Sequence, residues 1–184
     1  MRSAFRPLRS VFIFPTIQLT TAAANQRYRD RFRVVHFSVQ ADHVHWIVEA
    51  ADKVSLSRGM RSLAIRVAKN VNRLVSRTGR VWADRWHGRE LTTPRVRAAL
   101  VYVFGNFRKH HPNVNLALDP FSSALYFPRF LELNGHTPLR STRDLLVRDS
   151  PEPCTWLLRA GWLRHGQLSM FETPTRRDSR TGRK

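Results

Sequence analysis

The feature that most restricts how this chain can fold is the stretch from Phe32 to Glu49. Val34, Val35, Phe37 and Val39 favour an extended backbone, and Val44, Trp46 and Val48 then alternate with His43, His45, Ile47 and Glu49. Side chains two apart on a strand share a face, so the valines and the tryptophan are directed to one side and the histidines to the other. Gln40-Ala41-Asp42 separates the two runs as a short turn, which makes 32–49 a β-hairpin with one apolar and one polar face. A lone hairpin is marginally stable, and helices must cover it.

Two amphipathic helices suit that purpose. From Ser55 to Val75 the residues Leu56, Met60, Leu63, Ala64, Val67, Val71, Leu74 and Val75 recur at helical spacing, with Thr78-Gly79 as the expected stop. Arg58, Arg61, Arg66, Lys69 and Arg73 occupy the remaining surface. The second helix runs from Pro94 to about His110, capped by Thr93, with Val96, Leu100, Val103 and Phe107 on one stripe. Between them, 81–91 reads as one or two short strands. Residues 1–24 lack clear periodicity, although Val11 to Leu19 reads as a strand broken at Pro15. Residues 112–152 read mostly as loop, 155–165 as a short helix with Trp156, Leu157, Ala160 and Leu163 on its apolar side, and 173–184 as a disordered basic tail.

Of the 184 residues, 32 are Lys or Arg and 13 are Asp or Glu, a formal charge of +19. Such an excess repels itself unless a polyanion neutralises it, so a nucleic-acid partner is the first expectation. The single cysteine, Cys154, excludes a disulfide framework and a cysteine-based zinc site, and points to a reducing, cytoplasmic compartment. No apolar run is long enough to span a bilayer, and Phe12 to Ala24 lacks the continuous apolar stretch of a secretory signal.

Two groups of residues could carry chemistry. His43 and His45 can point both imidazoles at one ion, or stand as a pair of exposed strand histidines. Tyr102 and Asn106, four apart on the second helix, lie one above the other. Tyr102 is either a nucleophile or a boundary aromatic, and Asn106 either an oxygen ligand or a surface amide. Together, two imidazoles and an amide oxygen suit a divalent cation, Mg2+ or Mn2+, beside a phosphate ester, with the tyrosine as attacking group. Arg85, Trp86 and Arg89 combine phosphate-binding cations with a stacking aromatic, or else Trp86 is core and the arginines are solvated. Lys109 and His110 extend the second helix as further backbone contacts or as complements to its dipole.

These residues carry a resemblance. "HFSVQADHVHWIVEA", the basic helix running on to the "DRWH" element, and "RAALVYVFGNFRKHH" resemble, in that order, the single-tyrosine HUH transposases, in particular the group associated with repetitive extragenic palindromes. The likeness covers Phe32 to His111 strongly and "TWLLRAGWLRHGQLS" more weakly. It implies a ferredoxin-like α+β fold, an antiparallel sheet with helices on one face. It implies Tyr102 as nucleophile and His43, His45 and Asn106 as ligands of Mg2+ or Mn2+. Cleavage and joining of single-stranded or hairpin DNA through a 5′-phosphotyrosine would follow, by a monomer or a homodimer. Arg58, Arg61, Arg66, Lys69, Arg73, Arg85, Trp86, Arg89, Lys109 and His110 are then DNA-binding candidates. On this reading 1–118 is the catalytic domain and 119–184 a loop-rich basic extension. The departure is N-terminal: family members open with a strand and a full helix, whereas here only "FIFPTIQLT" could replace the strand, leaving Thr21 to Arg33 for the helix. A non-catalytic DNA-binding relative and a basic RNA-binding protein are the competing readings.

Overall fold

A computed structural model describes residues 7–28, 30–111, 116–134 and 151–174. The hairpin forms as expected: β1 (Phe32–Val39) pairs antiparallel with β2 (Val44–Ala50). One irregularity decides the architecture. The register shifts between Val34 and His36, which leaves Val35 as an extra residue, a β-bulge. Val34 and Phe37 therefore face one side, while Val35 and His36 both face the other.

Each side has its own core. On the first, Phe32, Val34, Phe37 and Val39 pack with Ile17 and Ala24 of α1 (Phe14–Tyr28) and with Met60, Leu63, Val67 and Val71 of α2 (Lys53–Leu74). On the second, Val35 and Ile47 pack with Val96, Leu100, Val103 and Phe104 of α3 (Thr93–His110), joined by Phe127, Phe130, Leu158, Trp162 and Leu168. Helices thus cover both faces of the hairpin, a correction to the expectation of one. Among the described residues the sheet has two strands, in a mixed α+β arrangement.

The strand expected at 11–19 is replaced by α1. Pro15 is its second residue, where a missing N–H costs nothing. The buried stripe of α1 includes Thr20, Thr21 and Asn25, which hides it from a hydrophobic pattern. All three are satisfied: the threonine hydroxyls donate to the carbonyls of Thr16 and Ile17, and the Asn25 amide grips both backbone groups of Val34, at 2.7 and 3.0 Å. The helix is therefore full length, longer than the Thr21–Arg33 segment left for it by the sequence.

Asp52 caps α2 by accepting from the Ser55 N–H at 2.6 Å. Gly59 of α2 lies flat on the Phe32 ring, where an added Cβ would come within 2.3 Å of Cγ. The helix ends at Leu74, and Gly79, at φ +98°, sits in the turn beyond rather than at the stop. Residues 81–91 form no strand; instead the Trp82 indole donates to the Ala64 carbonyl and packs against Trp46. The cap of α3 is Thr92, one residue earlier than expected, with Pro94 inside the first turn.

Residues 116–134 are more than loop. Phe121 accepts from the Val39 N–H, covering the outer edge of β1, and a 3-10 turn spans Ser123–Tyr126. Arg9 meets the fully buried Asp119 with two hydrogen bonds and stacks over Phe121. The expected 155–165 helix is a short α4 (Trp156–Arg159) followed by a 3-10 turn, Gly161–His165. Its buried residues are Leu158 and Trp162, whereas Trp156 is exposed. The basic tail from 175 onward, and 135–150, lie outside the described residues.

Candidate active site

The turn of the hairpin and the middle of α3 meet on the second face of the sheet. His43 and His45 approach through their Nε2 atoms at 2.9 Å. The His45 ring lies edge-on to Tyr102, with centroids 4.8 Å apart. β2 presents His45, the turn just before it presents His43 two residues earlier on the same side, and α3 presents Tyr102 because Val101, Val103 and Phe104 anchor the helix in the core.

Asp42 orients the pair. Its carboxylate lies 2.7 Å from His43 Nδ1, so with Nδ1–H as the donor the Nε2 lone pair points at His45. That hydrogen bond holds the Asp42 carboxyl below the ordinary aspartate range. Burial pushes His45 down to about 4, and the neighbouring His43 and His110 act in the same direction. His45 is therefore neutral at pH 7, the form in which imidazole binds metals. Burial raises the pKa of the Tyr102 phenol, which makes it a poor nucleophile without a cation at hand.

Asn106 lies one turn beyond Tyr102 and is 1% exposed. Among the described residues neither its Oδ1 nor its Nδ2 has a hydrogen-bond partner. Leaving a buried amide unpaired costs on the order of 1–3 kcal/mol. Tyr102, Asn106 and His110 repeat every four residues on α3, and the Tyr102 ring at the start of that row touches His45. The orphaned amide thus lies one turn from the ring that touches His45.

The donor set fits a divalent cation. The Nε2 atoms of His43 and His45, 2.9 Å apart, are close enough for both imidazoles to bind one ion. Among the described residues no group of three or more His, Cys, Asp or Glu side chains could hold a metal. Any cation here would depend on the amide as its third protein ligand.

The other candidates are dispersed. Arg58, Arg61, Arg66 and Lys69 line one groove on the outside of α2, and Arg73 is exposed one turn further on. Because α2 packs on the first face, that basic surface lies across the sheet from Tyr102. Arg85, Trp86 and Arg89 are exposed on the connection to α3, and Lys109 and His110 at the end of α3. Of these candidates, His110 contributes to the electrostatics of Asp42 and His45. No helix among the described residues is long and apolar enough to cross a membrane.

Residues 16–103 match the family model described as "Transposase IS200 like". The match covers roughly half the chain, from the first turn of α1 to Val103 of α3, one residue past Tyr102. No curated protein and no solved structure matches the chain.

Proposed function

Taking the family match as premise, we propose that this protein cuts and rejoins single-stranded or hairpin DNA as a single-tyrosine transposase. The observation that carries the reading is the buried amide of Asn106, without a partner among the described residues, one helical turn beyond the Tyr102 ring that contacts His45. A structural asparagine would be expected to find partners, as Asn25 does.

His43 and His45 through Nε2, and Asn106 through Oδ1, would hold Mg2+ or Mn2+, which when bound polarises the scissile phosphate and stabilises charge on its oxygens. Tyr102 attacks phosphorus in line. Its Oη–P bond forms as the P–O3′ bond breaks; the phenol proton passes to solvent, and the departing 3′-oxygen takes one up. The strand stays attached to Tyr102 through its 5′-phosphate, and attack by a 3′-hydroxyl reverses the step without an external nucleotide. Asp42 positions His43 throughout. The basic face of α2, across the sheet, serves the flanking DNA rather than the cleaved bond.

A second reading, a DNA-binding relative without cleavage activity, is favoured by the two-stranded sheet and by a family match that ends before Asn106. Labelled single-stranded hairpin pools run on a denaturing gel separate the two. The proposal expects a metal-dependent covalent protein–DNA band that is absent in Tyr102→Phe. Salt-sensitive binding with no band at any metal concentration favours the non-cleaving relative.

A further inference from the structure

Glu49 lies on the same face of β2 as His45, four residues on, or about 13 Å at strand rise. It is 8% exposed, an expensive place for a carboxylate, and it is fully engaged with the C-terminal segment. Its two oxygens accept from the Cys154 N–H, the Thr155 N–H and the Thr155 hydroxyl at 2.6–2.8 Å. Thr155 is in turn the cap of α4, so the strand that bears the histidines fixes the start of that helix.

The first residue of α4 is Trp156. A tryptophan next to so firm an anchor would normally be core, yet it is 52% exposed, while Leu158 and Trp162 fill the core beneath. The indole is seated on Gly161, where an added Cβ would come within 2.7 Å of the ring. The Arg164 guanidinium lies over it, 4.8 Å from the ring centroid, and is itself exposed. Arg129 and Arg159 stand alongside, linked by a hydrogen bond from the Arg129 guanidinium to the Arg159 carbonyl. An exposed aromatic stacked with a planar cation in a basic setting is the chemistry that holds an unpaired nucleobase: the base extends the stack on indole or guanidinium, and the cations take the phosphates.

We infer that Trp156 and Arg164 form a stacking site for one unpaired base of the DNA strand that Tyr102 cuts. The inference rests on the proposed function. The strand then runs from the hairpin turn towards α4, whose start is held by Glu49 at about 13 Å from His45 at strand rise. Glu49 sets that spacing as a positioning residue.

Fluorescence anisotropy tests it, in the Tyr102→Phe background so that no strand is cut. The probes are fluorescein-labelled oligothymidylate, an abasic sugar-phosphate strand of equal length, and oligouridylate. Trp156→Ala should weaken oligothymidylate binding between about fivefold and a hundredfold and leave abasic-strand binding unchanged, and Trp156→Phe should retain most of the affinity. Circular dichroism should show the wild-type fold in both variants, since the side chain is largely outside the core. Equal loss on both DNA strands, or loss on neither, overturns the stacking site. A larger Trp156-dependent loss with oligouridylate overturns DNA as its ligand. If the parent binds none of the three strands, the proposed function fails before any Trp156 variant is measured, and this inference fails with it.

Discussion

Acid should unfold this protein partly through His36. The bulge in β1 turns that imidazole into the second core, between the rings of Phe104 and Phe127 at 5.1 and 5.5 Å, and its Nδ1 is without a partner among the described residues. Burial pushes its pKa from 6.5 to about 3. Below pH 6.5 the unfolded chain takes up a proton that the folded chain refuses, so this part of the stability is complete above 6.5 and is lost as pH falls towards 3. The slope is about 1.4 kcal/mol per pH unit. Between pH 7 and pH 5 the loss from His36 alone is about 2 kcal/mol, or about 4–8 °C of melting temperature for a chain of this size. His45 acts in the same direction between 6.5 and about 4, so His36 must be isolated by subtraction. Thermal melts of wild type and His36→Leu across this range provide it. The variant's melting temperature should fall less than that of the wild type by the stated amount. Parallel curves would refute the argument that a neutral, buried imidazole is part of the folded state.

Three further outcomes follow from the geometry. Asn106→Leu removes a buried amide that has no partner among the described residues and should stabilise the metal-free protein by about 1–3 kcal/mol, while abolishing the rise in melting temperature that the proposal expects Mn2+ to give the wild type; a leucine variant still stabilised by Mn2+ would remove Asn106 from the metal site. Gly59→Ala drives a Cβ into the Phe32 ring and should cost about 1–3 kcal/mol or more, read as a lower denaturant midpoint; an unchanged midpoint would mean that α2 and β1 separate freely. Replacing Arg58, Arg61, Arg66 and Lys69 together by glutamine should weaken DNA binding and reduce its salt slope by about 0.7–0.9 per lost phosphate contact, but leave the rate of adduct formation at saturating DNA unaltered, because α2 lies across the sheet from Tyr102.

The hairpin and the two long helices were legible because their patterning is strong: alternation over 32–49, helical spacing over 55–75 and 94–110. α1 was not, because the side chains it buries include threonines and an asparagine whose partners are backbone groups, and hydrophobic periodicity is blind to those. The placement of helices on both faces turned on a single extra residue, Val35, and a bulge leaves no mark in an apolar run. Trp156 and Trp162 exchanged roles for a related reason. The helix they were assigned to breaks at Ala160 into a 3-10 turn, and the rotation carries Trp162 inward and Trp156 out. At the candidate site the spacing of His43 with His45, and of Tyr102 with Asn106, left each pair open to a structural role, and only the family resemblance singled the residues out. That Tyr102 meets His45 depends on α3 packing against the histidine face, which spacing along either element does not encode. The same gap explains why the basic residues of α2 could be named as DNA-binding candidates without it being evident that the sheet lies between them and Tyr102.

The central claim is that Tyr102 becomes covalently joined to DNA, and the identity of the linked residue tests it most directly. After incubation with single-stranded hairpin DNA and Mg2+ or Mn2+, nuclease trimming and trypsin digestion, mass spectrometry should find the nucleotide remnant on the peptide from Ala98 to Arg108. Tyr102 is the only tyrosine in that peptide, and the released strand should end in a free 3′-hydroxyl. Cleavage with no nucleotide-linked peptide, or a remnant on Tyr28 or Tyr126, would contradict the account.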